Sequence, residues 1–333
     1  MNSDRIKKIL GKLQRRSGAA VVVMGDIILD EYTQCEQDYS PNEDCTVLRR
    51  QNSLLFPGNA LNVCLNIDAM EGKAAVLGTL GIDREADELR RLTGGRVNLD
   101  GLLADSGRST TVKSRLCLRD GSLIRVDRED NTPVSPQTAA GLLAQAEACG
   151  DVRCAVVSDL GKGLFPGSCI GSFIGWARRK GIPALVDPAG SKLERYAGAS
   201  VLFPNLLEFN RLTSSAFQHP AEAVQKAREQ MRKYDIGAIV LKAGENGSCW
   251  ITNREALHLP ALGKQPVCEV GAGDSCIAAF AVGTGCGLSE EECFLLGSAA
   301  AAVSISKAYT SAVSLSELIR FSTAMEPVSV YRL

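Results

Sequence analysis

The sequence predicts an α/β fold, a three-layer sandwich in which helices cover both faces of a mostly parallel central sheet. Short, continuously apolar runs alternate with longer segments of helical periodicity, which is typical of buried parallel strands joined by helices. Polar residues follow the ends of these runs, where an α/β sheet binds its ligands. Two further segments alternate like exposed strands and predict a second, smaller sheet.

The predicted elements of the main sheet follow one another along the whole chain. An amphipathic helix is expected within residues 1–16. Strands are predicted at 19–24, 74–78, 155–158, 184–187, 200–204 and 238–242. Helices are predicted at 59–70, 85–92, 170–180, 221–234, 275–283 and 290–307.

The second sheet is predicted from residues 31–56 and 109–128, whose alternation resembles that of antiparallel strands. An Asp120-Gly121 turn joins the two halves of the later segment. We expect these segments to meet in space as a small β-sheet lid over the active face. Because nothing in between has the composition of a linker, we expect a single domain over residues 1–333.

Composition narrows the class of protein. A net charge of -1 across 333 residues gives no general attraction to nucleic acid or to a membrane surface. No apolar run is long enough to cross a membrane, and the N-terminus lacks the apolar core of a secretory signal. Twelve cysteines show no CxxC spacing beside only two histidines. We therefore expect reduced thiols in a cytoplasmic protein rather than structural zinc.

The most informative motif is Gly271-Ala272-Gly273-Asp274, followed by an apolar run that predicts a helix. The glycines allow a tight turn that directs backbone N–H groups into one hollow, and the helix N-terminus adds its positive dipole there. Such a hollow suits a phosphate or a developing negative charge. An aspartate within it suits a base that takes a proton from an attacking nucleophile. The motif predicts phosphoryl transfer; the alternative is an ordinary turn with Asp274 as a capping carboxylate.

Five motifs, in order along nearly the whole chain, resemble those of the PfkB (ribokinase-like) carbohydrate kinases. They are Gly25-Asp26-Ile-Ile-Leu-Asp30, Pro57-Gly58-Asn59-Ala-Leu-Asn62, Pro204-Asn205-Leu-Leu-Glu208, Lys242-Ala-Gly244-Glu245-Asn-Gly247 and Gly271-Ala-Gly-Asp274. The resemblance implies a ribokinase-like fold and ATP-dependent phosphorylation of a sugar hydroxyl. Within that family it is strongest to heptose 7-phosphate kinases, through residues 123–127, 158–163, 186–190 and 194–199. A heptose phosphate or a related sugar phosphate is therefore the expected substrate.

The resemblance also implies roles for individual residues. Asp274 would be the general base, and Gly271, Ala272 and Gly273 would form the anion hole. ATP would bind at Asn205, Lys242, Gly244, Gly247 and Ser298, with Mg²⁺ held through water by Glu208. The sugar would bind at Asp26, Asp30, Gly58, Asn59, Asn62, Lys113, Arg115, Arg125 and Lys162. K⁺ as a further cofactor and a homodimer through the lid are left open.

Several of these residues could instead have a purely structural role. Asn62 could be a helix-face or capping residue, and Asp26 a partner within an N-terminal turn. Glu208 could be a solvated carboxylate on a helix face. Residues 242–247 could form a hairpin turn after a strand, and the lid cations a solvated surface.

Five positions depart from the family pattern. Asn59 stands where a glycine is usual; Asn tolerates a positive φ, but its side chain would enter the sugar pocket. Cys268 and Val270 replace an aspartate and a threonine before the anion hole, and Ser298 and Tyr309 replace an asparagine and a glycine. Three hypotheses remain open: a sugar phosphate kinase, a PfkB kinase for another sugar or a nucleoside, and a catalytically impaired sensor of sugar phosphates.

Overall fold

The computed structural model describes residues 3–16, 18–190, 192–263 and 266–333. Within these ranges, ten strands form the main sheet. They are β1 Ala20–Gly25, β4 Lys73–Leu80, β5 Asn98–Ala104, β8 Cys154–Ser158, β9 Ala184–Asp187, β10 Val201–Leu202, β11 Ala238–Lys242, β12 Ser248–Thr252, β13 Ala256–Leu259 and β14 Tyr331–Arg332. Their order in space is β14-β13-β12-β11-β10-β9-β8-β1-β4-β5. The seven strands from β11 to β5 in this spatial order are all parallel. Strands β12, β13 and β14 continue the sheet beyond β11, each antiparallel to its neighbour.

Helices cover both faces of this sheet. They are α1 Ser3–Gln14, α2 Ala60–Ala69, α3 Arg84–Thr93, α4 Pro136–Ala148, α5 Cys169–Arg179, α6 Leu206–Thr213, α7 Val224–Tyr234, α8 Ala272–Gly285, α9 Glu290–Ile305 and α10 Leu315–Ala324. Because side chains alternate along a strand, Val21 and Val23 pack with α1, α2, α3, α8, α9 and α10. Val22 and Met24 pack on the other face with α4, α5, α6 and α7. The predicted three-layer arrangement is confirmed.

A second sheet of four strands lies apart from the main sheet. Its strands are β2 Ile27–Ser40, β3 Cys45–Asn59, β6 Thr111–Leu118 and β7 Leu123–Arg128, in the order β3-β2-β6-β7. The hairpins β2–β3 and β6–β7 are antiparallel as expected, but β2 and β6 pair in parallel. Residues in register share a face, so Asp30 lies beside Lys113, and Tyr32 beside Arg115. We call these four strands the small sheet.

Several predicted boundaries need correction. The strands at 184–187 and 238–242 are confirmed, whereas the strand expected at 200–204 is reduced to Val201–Leu202. Pro204 has no amide N–H with which to extend that ladder. The helix expected from 221 begins as a 3-10 turn at Pro220–Ala223, and the helix expected from 275 begins at Ala272. No helix in the described ranges is both long and apolar enough to cross a bilayer.

Candidate active site

The N-terminus of α8 forms an open amide cradle. Gly271 is its N-cap residue, with φ 87° and no side chain to occupy the first-turn N–H groups. A Cβ on Gly271 would lie 2.9 Å from Asn62 Nδ2, and one on Gly273 would lie 3.2 Å from Lys242 Nζ. The glycines therefore let an amide and a lysine approach the helix end closely. This arrangement suits an anion, as the sequence predicts.

Asp274 lies in the first turn of α8, and its carboxylate does not cap the helix. Its Oδ2 accepts a hydrogen bond of 2.8 Å from Asn62 Nδ2. The pKa of Asp274 is raised to about 7, mainly by burial and also by the nearby Asp187 and Asp30, while the Asn62 hydrogen bond and Lys242 act in the opposite direction. A carboxyl group that changes charge near neutral pH is suited to general-base chemistry.

Lys242 at the end of β11 is paired with Asp187 at the end of β9. Nζ lies 2.8 Å from Oδ1. Glu208 lies close enough to both residues for them to affect its pKa: burial and Asp187 raise it, and Lys242 lowers it. Lys242 is therefore near two carboxylates, Asp187 and Glu208. In the sequence Asp187 is recognisable only as a polar residue after a strand, because its partner Lys242 lies 55 residues away.

Asn205 and Glu208 cap α6 reciprocally. Asn205 Oδ1 accepts from the Glu208 N–H at 2.8 Å, and Glu208 Oε2 accepts from the Asn205 N–H at 2.7 Å. Asn205 also forms an isolated parallel bridge with Lys242. Both motif residues therefore have a structural task that fixes them at the end of the sheet. Glu208 is half-buried, unlike a solvated helix-face carboxylate.

The glycine motif after β11 forms the hairpin turn to β12. Gly244 and Gly247 have φ 54° and 75°. A Cβ on Gly247 would lie 2.1 Å from the Leu259 carbonyl oxygen, so the turn alone requires glycine there. Ser298 on α9 has its Oγ 3.4 Å from that of Ser248, the residue following the turn.

Asp30 and Arg115 form a buried ion pair on the small sheet. Arg115 Nη1 lies 2.7 Å from Asp30 Oδ1, and Thr310 Oγ1 donates to Asp30 Oδ2 at 3.0 Å. A Cβ on Gly58 would lie 2.5 Å from Asp30 Oδ2, so Gly58 leaves space for this carboxylate. This face lies beside the α8 cradle, because a Cβ on Gly271 would lie 3.6 Å from Cγ2 of the same Thr310.

Asp26 anchors a loop. Its Oδ2 accepts from the N–H groups of Leu160 at 2.7 Å and Lys162 at 3.3 Å, and the residue is 4% exposed. Burial raises the pKa of Asp26 to about 6. The turn-partner alternative accounts for these two contacts, and the Asp26 carboxylate positions the backbone of Lys162.

Asn59 is the N-cap of α2, with φ 48°. The expected tolerance of a positive φ is confirmed, and the side-chain amide is held by two specific partners. Nδ2 donates to the Asp26 carbonyl at 2.8 Å, and Oδ1 accepts from Ser158 Oγ at 2.8 Å. The amide is turned toward the ends of β1 and β8, where these two groups satisfy it.

Cations gather on the Asp30 face of the small sheet. Arg125 lies opposite Arg115 across β6 and β7, although like charges in register repel. Burial lowers the pKa of Lys113, as do the nearby Lys162 and Arg125, while Asp30 and Asp127 act in the opposite direction. Ion pairs join Arg125 to Asp127 at 3.0 Å and Lys162 to Glu129 at 2.5 Å. Among the described residues Lys113 has no such ion pair.

Tyr309 takes the conformation of the glycine it replaces, with φ 61°. This conformation is rare for a bulky residue. Its ring lies 4.9 Å from that of Tyr32 and 5.6 Å from that of Phe56, measured between centroids. Tyr309 therefore joins the loop after α9 to the small sheet.

Metal ligands are sparse. Within the described ranges no group of three or more His, Cys, Asp or Glu side chains is arranged to hold a metal ion. The twelve cysteines are free thiols. Cys268 and Val270 bring no side-chain oxygen to the segment before the cradle.

Known proteins share this architecture and sequence pattern. Residues 19–317 match the pfkB family carbohydrate kinase pattern. The bifunctional protein HldE of Vibrio cholerae is 34% identical over 306 residues, 91% of this chain and 63% of that protein. The chain thus spans just under two thirds of the length of such curated relatives.

Solved structures agree on the fold. Phosphofructokinase-2 from Escherichia coli has a TM-score of 0.78 at 19% identity, covering 92% of this chain and 98% of its own. Arabidopsis thaliana ribokinase, complexed with ribose and ATP, has a TM-score of 0.72 at 19% identity, covering 92% and 99%. The expected ribokinase-like fold is confirmed. With the family pattern matched over most of its length, the chain belongs to the PfkB family of carbohydrate kinases.

Proposed function

We propose that this protein transfers the γ-phosphate of ATP to a hydroxyl of a sugar that already carries a phosphate, a heptose 7-phosphate or a close relative. The family supports the reaction class, and the strongest support for a phosphorylated acceptor is Lys113. This cation is drawn into a partly buried cluster without an ion pair among the described residues. Asp30 and Asp127 lie in register with Lys113 on the neighbouring strands but form no ion pair with it, so a phosphate on the substrate would be its direct anionic partner.

Asp274 serves as the general base in this proposal. It removes the proton from the sugar hydroxyl as that oxygen attacks the γ-phosphate. The α8 cradle and Lys242 stabilise the charge on the transferring group, because N–H donors and a lysine converge there. Asp30 and Asn62 flank the base and orient the sugar, while Gly58 admits the carboxylate of Asp30.

ATP lies across the ends of β10 and β11 in this proposal. Asn205, Lys242 and the Gly244–Asn246 turn bound that space, and Gly247 shapes the turn. Ser298 lies toward the base of the nucleotide. This assignment is supported by the motif order and by the proximity of Lys242 to the cradle.

Mg²⁺ fits the donor set at this end of the sheet. Glu208 is the carboxylate we expect to hold it through water, because burial and the nearby Asp187 disfavour its charged form, which a divalent cation would stabilise. When bound, the ion neutralises charge on the ATP phosphates. K⁺ has no comparable support, because Cys268 and Val270 offer no side-chain oxygen where an alkali cation needs oxygen ligands.

We further propose that the small sheet is a lid and carries a homodimer contact, while residues 1–333 act as one kinase domain. Ile124 and Val126 are 43% and 54% exposed on one face of β7, and β3 and β7 are open edges of the sheet. Unpaired edges favour strand or face pairing with another copy.

ADP release with Mg-ATP across a panel of acceptors tests the proposal. The panel runs from heptose 7-phosphates through hexose phosphates to free sugars and nucleosides. Turnover confined to a sugar phosphate supports it. Turnover confined to a free sugar or nucleoside identifies another PfkB kinase, and binding of a sugar phosphate without turnover leaves a sensor.

A further inference from the structure

Asn66 is a buried amide on α2, one helical turn after Asn62, and its exposed fraction is 0%. Its Oδ1 accepts a hydrogen bond from the Val313 N–H at 2.8 Å. Its Nδ2 donates to the Asn62 carbonyl at 2.9 Å and to Asn62 Oδ1 at 3.2 Å. The function proposed above does not use Asn66, although both ends of its amide are satisfied by specific partners.

The Val313 N–H fixes the orientation of two amides in series. A backbone N–H can only donate, so the atom of Asn66 that faces it must be the carbonyl oxygen. The opposite end of Asn66 is then the NH₂ group, and it faces Asn62 Oδ1. Asn62 must therefore direct its own NH₂ group toward Asp274 Oδ2, which lies 2.8 Å away. The oxygen and the NH₂ group of an asparagine amide have nearly the same shape, so the hydrogen-bond partners decide which atom is which.

We propose that Asn66 is a positioning residue for phosphoryl transfer, which keeps an N–H donor of Asn62, rather than its carbonyl oxygen, directed at Asp274. This inference rests on the proposed role of Asp274 as the base. If Asn62 were reversed, its carbonyl oxygen would face the carboxylate and repel its charged form. Asn66 touches neither the base nor the cradle; it acts through Asn62.

The orientation of the Asn62 NH₂ group matters because most of the surroundings of Asp274 disfavour its charged form. Burial, Asp187 from the end of β9 and Asp30 from β2 all raise the pKa of Asp274. Lys242 from β11 and the Asn62 bond from α2 lower it. Loss of an oriented donor therefore raises the pKa further and reduces the fraction of Asp274 that can accept a proton at neutral pH.

A double-mutant cycle between Asn62 and Asn66 tests the inference. We expect Asn66→Ala to lower kcat at pH 7 on the order of tenfold and to move the acid limb of the kcat–pH profile to higher pH. The difference in kcat between Asn66→Ala and the wild-type protein should shrink as the pH approaches about 9, where Asp274 is deprotonated again. The double variant should be no slower than Asn62→Ala alone, because Asn66 acts only through Asn62.

Cys64→Ala is the matched control, since Cys64 is buried on the same helix between the two asparagines. Its pH profile should match that of the wild-type protein. Asn66→Asp is the second variant, used if Asn66→Ala does not fold. It keeps an acceptor for the Val313 N–H but, when ionised, cannot donate to Asn62. We expect it to show the same shift of the acid limb.

The inference is overturned if Asn66→Ala lowers kcat by the same factor at every pH. It is also overturned if the losses of kcat in Asn62→Ala and Asn66→Ala multiply in the double variant. Asp274→Asn, assayed alongside, separates this failure from that of the proposed function. Full activity in Asp274→Asn, or no turnover by the wild-type protein, overturns the base assignment and the inference with it. An inactive Asp274→Asn beside an Asn66→Ala that matches Cys64→Ala overturns the inference alone.

Discussion

Asp30 and Arg115 are joined by a contact of 2.7 Å between Oδ1 and Nη1, with side chains only 5% and 8% exposed. Removing one partner of such a buried pair leaves the other charge without compensation. We expect Arg115→Ala to lower the free energy of unfolding by about 3–5 kcal/mol, measured by urea denaturation. The guanidinium also lies 4.9 Å from the Tyr32 ring centroid, and that contact is lost too.

Arg125→Ala is the control for this prediction. Arg125 lies opposite Arg115 on β7, but its side chain is 57% exposed in its pair with Asp127. An exposed pair contributes less than about 1 kcal/mol. Equal losses in the two variants would contradict a special role for the buried pair.

Asp274 gives the stability of the protein a predictable pH dependence. Its pKa is about 7 in the folded chain, against an ordinary value of 3.8 for an aspartate. The raised value means that its contribution to stability is complete below pH 3.8 and is lost as the pH rises through about 7. Asp274→Asn does not titrate, so its stability relative to the wild-type protein should increase between pH 5 and pH 8.

Urea unfolding at pH 5 and pH 8 measures this difference, with Asp235→Asn as the control. Asp235 has a side chain that is 76% exposed, in a pair with Arg178. A difference between Asp274→Asn and wild type that does not change with pH would show that Asp274 titrates like an ordinary surface carboxylate.

Lys113 is the cation that we expect to recognise the substrate phosphate. Lys113→Ala should raise KM for a sugar phosphate on the order of tenfold, because a charge-assisted contact is lost. Its kcat should change little, since the base and the cradle remain. KM for the corresponding phosphate-free sugar should stay the same.

Lys180→Ala is the control for Lys113, because its side chain is 48% exposed at the end of α5, paired with Glu147. Steady-state kinetics on the sugar phosphate and on its dephosphorylated form separate the cases. An equal rise in KM for both sugars would mean that Lys113 binds the sugar itself and not its phosphate.

The dimer proposed for the small sheet depends on Ile124 and Val126. Introducing charge with Ile124→Asp and Val126→Asp should shift the protein toward monomer in sedimentation velocity. Ile82→Asp, at a residue 73% exposed outside the small sheet, should leave the sedimentation coefficient unchanged. Wild-type protein that sediments as a monomer at micromolar concentration would contradict the proposed dimer.

Local patterns in the sequence were sufficient for much of the fold. Apolar runs predicted β9 and β11 to the residue, and the glycine motif predicted a following helix, which begins at Ala272 rather than at 275. Strand β5 and helix α4 were not predicted. Asn98–Ala104 contains Asn, Asp and Gly, so it lacks the continuous apolar run that marked the other strands.

The orientation of individual side chains could not be read from local pattern. The Asn59 side chain is held by Ser158, 99 residues later, which donates a hydrogen bond from its hydroxyl. Asp26 holds a loop that begins 134 residues away. The amide of Asn66 is oriented by the N–H of Val313, which lies 247 residues further along the chain. Such partners are set by tertiary packing, which the periodicity of a single segment does not encode.

ADP release with Mg-ATP and a heptose 7-phosphate, compared between the wild-type protein and Asp274→Asn, decides whether Asp274 is the base of a sugar phosphate kinase. We expect saturable turnover by the wild-type protein and a loss of at least about a hundredfold in the variant, with sugar-phosphate binding retained. Asp274→Asn turnover equal to that of the wild-type protein, or no turnover by either protein, would contradict it.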